Sequence, residues 1–282
     1  MSTIKELIKE IKNLKPIPAI VNQIIKAIDD PNCSASDIAD IIKFDPSVTA
    51  NLLKTCNSAY FALPNPVNSV QDAVSLLGMD QIIELVLMKS GAKVLSKKQK
   101  GYGLHEGIMW KHAVSSALIS KAICKKTKLG NENIIFTATL LKDIGKTVLD
   151  RYVSDSFETI INLVQNKRHS FREAEKRVIG IDHGELGAMI ATQWKFSPKM
   201  INIIRHHHLS DKSQQKNCDI AIVYLADCIC MMMGLGIGED GLSYRFHGDV
   251  IKNLNITHED IAMIIADFTL EMQKVEELIN LT

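Results

Sequence analysis

The stretch Leu140-Leu141-Lys142-Asp143-Ile144-Gly145-Lys146 decides how this chain is read. An apolar, small-residue run, Ile134-Ile135-Phe136-Thr137-Ala138-Thr139, leads into it. The polar pair Lys142-Asp143 then breaks the apolar pattern, and Gly145 follows at once. Asp143 sits where a core helix takes a hydrophobe, and a buried carboxylate without a partner is costly. A residue held at that cost directs the search for function to its surroundings.

Around this segment lie 282 residues, enough for one large core or two fused helical subdomains. Aromatic residues make up only 5 % while Ile, Leu, Ala and Met abound, which favours helix-on-helix packing over a β-sandwich. A formal net charge of +1 creates no field that draws nucleic acid or an anionic membrane. No apolar run approaches the ~18 residues of a spanning helix. The start Met1-Ser2-Thr3-Ile4-Lys5-Glu6 is amphipathic and unlike a signal peptide. The six cysteines show no CxxC spacing; with Cys124, Cys228 and Cys230 in apolar stretches, reduced core thiols of a cytosolic protein are expected.

Upstream of the key stretch, Ile4, Leu7, Ile8, Ile11 and Leu14 recur at helical spacing, and Lys15-Pro16-Ile17-Pro18 ends that helix. Further helices are expected over Ala19–Asp29, from a Ser34/Asp37 capping box to Ile42, and from Asp45-Pro46 towards Asn57. Others are expected from Ser69 to Leu77 and from Met79 through Met88. The basic, glycine-bearing run Ser96-Lys97-Lys98-Gln99-Lys100-Gly101-Tyr102-Gly103 marks a boundary between subdomains 1–98 and 99–282. Downstream, helices are expected over Glu106–Lys126, from Glu132, over 155–166 and 171–180, and from about His183 to Trp194. Three more are expected from Ser197-Pro198 into His206-His207-His208, over Asp219–Met233 and over His258–Ile279. Gly234 to Gly241 reads as a connecting loop.

The ordered features Pro16-Ile17-Pro18-Ala19, Ile38-Ala39-Asp40-Ile41-Ile42, Asp45-Pro46-Ser47-Val48-Thr49-Ala50, Asn57-Ser58-Ala59-Tyr60-Phe61, Ser69-Val70-Gln71-Asp72-Ala73 and Leu76-Leu77-Gly78 carry a family resemblance. Over roughly residues 14 to 230 the chain resembles the HDOD domain, the HD-related output domain of bacterial signal-transduction proteins. The resemblance implies an all-α fold, a helical bundle of HD-superfamily type with an additional N-terminal helical subdomain, and a regulatory role in the cytoplasm. The key stretch resembles the HD signature helix, with Lys142 where that signature has histidine. Against the catalytic HD and HD-GYP phosphohydrolases, His112, Asp143 and Asp227 match three of the first metal's ligand positions and Lys142 breaks the fourth. His183, His207 and His208 resemble the ligands of a second metal. The glycine-tyrosine-proline motif is absent after His208, where Leu209-Ser210-Asp211 stands, and Ile108 occupies the position four before His112 where a carboxylate is expected.

An ammonium has no lone pair for a metal and adds positive charge to the site. Lys142 is therefore expected to neutralise Asp143 and Asp227 in place of a metal. His207 and His208, if both helical, would point ~100° apart, so the three histidines read first as hydrogen-bonded remnants. His206 is expected to face solvent, as are His105, His169, His247 and His258. The leading expectation is a non-catalytic signalling module that binds a protein or small ligand, with no cofactor, no nucleic acid and no membrane. At 282 residues no fused receiver or cyclase domain is expected, so a signalling partner is supplied in trans. The alternative is a residual metal-dependent phosphohydrolase holding Fe, Mn or Zn on Asp143, His183, His207 and His208. The segment Ser34–Asn57 has helix-turn-helix proportions, but Pro46 to Asn57 carries only Lys54, too little charge for DNA phosphates.

Overall fold

The computed structural model describes residues 2–14, 18–236, 238–239 and 247–281. The stop at Lys15-Pro16-Ile17 lies outside the described residues, as do Ile237, Asp240 and Gly241 of the loop running to Gly241. The described residues form sixteen α-helices, one short 3-10 helix (Lys212–Gln214) and no sheet, with one isolated bridge between Gln99 and Leu104.

Local capping chemistry sets most helix starts. The first hundred residues hold α1 (Ser2–Asn13), α2 (Ala19–Ile28), α3 (Ala35–Lys43), α4 (Pro46–Cys56), α5 (Val70–Leu77) and α6 (Met79–Leu95). Ser34 and Asp37 form the expected reciprocal capping box. Asp45 caps α4 by accepting from the Ser47 and Val48 amides, with Pro46 at the first helical position. Helix α6 runs a full two turns beyond Met88, because Leu95 and Ala92 continue its buried face. Helices α2 to α6 pack on one another, whereas α1 lies against the second half of the chain. There Tyr152 donates to Glu10 at 2.9 Å and Gln193 donates to the Ile11 carbonyl at 2.9 Å.

The second half is built on α7 (Ile108–Thr127), which packs on α8 (Glu132–Leu141) and α14 (Cys218–Met232). Around these lie α9 (Lys146–Asp155), α10 (Phe157–Lys167), α11 (Phe171–Val178), α12 (His183–Gln193) and α13 (Pro198–His206). Helices α15 (Asp249–Asn253) and α16 (His258–Leu281) follow. Sequence reasoning missed α9 and α15; α9 follows a break too short to read as a new start. Helix α6 packs on both α7 and α8, and buried Glu84 on α6 pairs with Lys121 on α7. No described helix is long and apolar enough to cross a membrane. All six cysteines are free thiols.

The key stretch is a turn between helices. Helix α8 ends at Leu141, residues 142–145 turn, and α9 begins at Lys146. Gly145 permits this because its backbone lies directly on the start of α12. A Cβ there would collide with the His183 carbonyl and the Gly187 amide. The close approach brings Asp143 to the face of His183. Gly145→Ala is therefore expected to cost ~1–3 kcal/mol by overpacking. Urea unfolding of the two proteins checks this, and an unchanged midpoint would mean that the backbones do not meet so closely.

Candidate functional site

Four elements deliver five charged or imidazole side chains to one buried point. His112 comes from α7, Lys142 and Asp143 from the turn after α8, and Lys146 from the first position of α9. Asp227 comes from the middle of α14, and all five side chains are buried. The Lys142 ammonium contacts Asp143 Oδ2 and stands 2.9 Å from Asp227 Oδ1. Lys146 Nζ lies 2.9 Å from Asp143 Oδ1. His112 Nε2 lies 2.8 Å from Asp227 Oδ1, and its Nδ1 donates to the Leu235 carbonyl at 2.9 Å. Gly236, at φ +70, lets its loop lie against His112, since a Cβ there would press on the imidazole's own Cβ.

Two ammonium groups thus face two carboxylates, with His112 beside Asp227. Burial opposes charge on both aspartates, but Lys142, with Lys146 beside Asp143 and His112 beside Asp227, outweighs it and holds each carboxyl well below the usual range. Burial also opposes charge on Lys142, yet Asp143 and Asp227 outweigh it and raise its pKa above the ordinary lysine value. His112, Asp143 and Asp227 do converge within metal-ligand range of one another. The position between the carboxylates is nevertheless taken by an ammonium, and a dication does not fit there beside it.

His183, His207 and His208 form a second cluster next to the first. The expectation that His207 and His208 diverge on a helix is overturned. Helix α13 stops at His206, His207 is its C-terminal cap, and Leu209 turns the chain at φ 53. Once off the helix, the two rings come within 4.1 Å, centroid to centroid. His207 Nδ1 donates to the Ile204 carbonyl at 2.7 Å, which leaves Nε2 as the bare nitrogen, buried and without a hydrogen-bond partner. His183 Nδ1 donates to Glu175 at 2.7 Å, and its Nε2 lies 2.7 Å from His208 Nε2. Asp143 Oδ1 is 3.8 Å from His183 Nε2 and 3.9 Å from His207 Nε2. Three imidazole nitrogens, one of them an orphaned buried acceptor, and one carboxylate oxygen suit a divalent transition metal. Such an ion would polarise a phosphate oxygen and acidify a bound water.

A cavity of ≈ 170 Å³ opens over both clusters. Its floor includes His112, Lys146, His183, His208 and Asp227, and its walls include Phe171, Arg172, Met231 and His247. His247, expected at the surface, therefore belongs to the site, where its amide donates to the Tyr224 hydroxyl at 3.0 Å. His206 and His169 are half-buried, while His105 and His258 are exposed. Lys146 and Glu175 were missed by sequence reasoning. Lys146 stands in the quoted stretch itself, one turn from Asp143, and that spacing was the available signal.

The family model for the HDOD domain matches residues 14–210, more than half of the chain. The chain belongs to the HDOD domain family. The HDOD match includes His112, Lys142, Asp143, His183, His207 and His208 and stops short of Asp227. An HDOD domain protein of unknown function from Geobacter sulfurreducens shares the fold with TM-score 0.76 at 22 % identity, covering 100 % of this chain and 97 % of that one. A candidate phosphohydrolase from Shewanella amazonensis superposes with TM-score 0.71 at 21 % identity, covering 98 % and 97 %. Among curated sequences, an uncharacterised protein of Treponema pallidum is 26 % identical over 204 residues. That match takes in 70 % of this chain and 38 % of the relative, so the chain spans well under half of that protein's length.

Burial lowers the His207 pKa to about 3, and burial also holds His208 well below the ordinary imidazole range. In the unfolded chain both histidines take up protons near pH 6.5. Stability contributed by keeping them neutral is present above that value and is lost as pH falls towards the folded values. For His207 the loss is about 1.4 kcal/mol per pH unit between about pH 6 and 4, and His208 acts with the same sign. Burial opposes the charge on His183, but Glu175 outweighs it and raises that pKa, so His183 acts with the opposite sign and at higher pH. In chelator-treated protein, His207→Asn is expected to flatten the stability-versus-pH slope over this window by about 1.4 kcal/mol per unit. Equal slopes for variant and parent would show that His207 is not held neutral.

Proposed function

We propose that this HDOD protein is a non-catalytic regulatory module that works by binding a signalling protein or a small ligand. The observation that carries the reading is the Lys142 ammonium, lodged between Asp143 and Asp227. An HD-type hydrolase needs a dication at that point to polarise the phosphate, and an ion pair supplies no Lewis acid there. The cavity over the site remains, so binding survives where turnover does not. The test is hydrolysis of mono-, di- and cyclic nucleotides after loading the full chain with Mn²⁺, Mg²⁺, Fe²⁺ or Zn²⁺. No turnover above background is expected, and metal-dependent hydrolysis that disappears in Asp143→Ala would refute the reading.

A second reading rests on the orphaned Nε2 of His207 and its convergence with His183 and His208. In this reading the histidine cluster keeps one divalent transition metal, as the remnant of a phosphohydrolase. Elemental analysis of purified protein tests it; stoichiometric Fe, Mn or Zn that is lost in His207→Ala would support it.

A further inference from the structure

Behind the histidine cluster sits a carboxylate that neither charge balance nor packing explains. Glu175, on α11, is fully buried. Its Oε2 accepts the His183 amide at 3.0 Å and His183 Nδ1–H at 2.7 Å. Its Oε1 accepts the Tyr102 hydroxyl at 2.6 Å. Tyr102 is itself fully buried, in the turn that joins α6 to α7, with its ring 5.5 Å from that of Phe171 and edge-on to His183 at 6.4 Å. That turn is docked on α9, where the Gly101 amide donates to Asp150 Oδ1 at 2.7 Å.

A helix that needed only to pack would not bury a carboxylate, since an apolar residue fills the same space without desolvating a charge. Two of the three donors to Glu175 come from His183, and together they fix both its backbone and its ring. With the proton held on Nδ1, Nε2 is turned into the site beside the nitrogens of His207 and His208. A carboxylate behind an imidazole is the arrangement that sets ring orientation and raises basicity in metal-ligating histidines.

We propose that Glu175, braced by Tyr102, is the positioning residue that makes His183, His207 and His208 competent to bind one divalent transition metal. Coupling is reciprocal. If the Tyr102 brace strengthens metal binding, metal binding steadies the 96–107 turn that carries Tyr102 between the two halves of the chain. Binding at the cluster is thereby reported at the junction of α6 and α7. The inference rests on the second reading above, that the cluster keeps a metal.

The test uses the full chain, stripped with chelator and titrated with Co²⁺, whose ligand-field absorbance reports coordination directly. The parent is expected to take up one Co²⁺ per chain, and Glu175→Gln to bind it about 10–100-fold more weakly. Tyr102→Phe is expected to show a smaller loss, and Co²⁺ to slow amide exchange over residues 99–104 in the parent more than in Tyr102→Phe. Melting of the stripped proteins separates these effects from general loss of structure. Should Glu175→Gln fail to fold, Tyr102→Phe and the exchange data decide. A parent that takes up no Co²⁺ would overturn the retained site and the proposal with it. A parent that binds while both variants bind equally well would leave the site standing and overturn the positioning role alone.

Discussion

Lys142→Met is expected to lower the folding stability of this HDOD protein by ~3–5 kcal/mol, the usual cost of removing one partner from a buried ion pair. The side chain is 1 % exposed, so water cannot replace the ammonium. Methionine matches its volume and length, which limits the loss to charge and hydrogen bonding rather than to a cavity. Asp143 and Asp227 would then face each other with less cationic compensation. Their depressed pKa values depend first on Lys142, so the variant should take up protons at higher pH than the parent. The sign follows from linkage. Carboxylates with depressed folded pKa values contribute stability above their unfolded values, and that stability is lost as pH falls through the folded values. With Lys142 gone, this contribution shrinks at neutral pH and fades earlier on acidification. Denaturant unfolding at pH 7 and pH 5 measures both effects; a variant as stable as the parent would mean that the lysine is not part of the balance.

The second large effect is a coupling. Asp143→Asn removes the carboxylate that both Lys142 and Lys146 contact, and it too should cost ~3–5 kcal/mol. The double variant Lys142→Met/Asp143→Asn should lose less than the sum of the single losses, because each single variant leaves the other charge buried without its partner and the double variant does not. A coupling energy of ~1–3 kcal/mol is the expected range for residues in one network. Additive losses would show that the two side chains stabilise the fold separately and that the geometry of a shared ion pair is misleading.

What the sequence made legible follows from how local each signal is. Ser34 with Asp37, and Asp45 with Pro46, announce helix starts within four residues, and the structure places both caps as read. Lys142 was legible because it interrupts a motif of known chemistry. The site's other half depends on contacts no local pattern records. Glu175 lies in Phe171-Arg172-Glu173-Ala174-Glu175-Lys176-Arg177-Val178, a stretch so charged that it reads as a solvated helix. Its burial is the work of Tyr102, 73 residues away. The meeting of His207 and His208 was hidden because the chain leaves the helix at Leu209 in a left-handed conformation, with no glycine or proline to mark the stop. His247 lines the cavity through its own contacts with Tyr224, 23 residues away in the chain.

These points converge on one structural claim, that the Lys142 ammonium fills the space between Asp143 and Asp227. The most direct test is anomalous diffraction at the manganese edge from crystals of the parent and of Lys142→His, each soaked in Mn²⁺. The account predicts no anomalous peak among His112, Asp143 and Asp227 in the parent and a new peak there in Lys142→His, whatever is seen at the histidine cluster. A manganese peak between Asp143 and Asp227 in the parent, with Lys142 displaced, would contradict it.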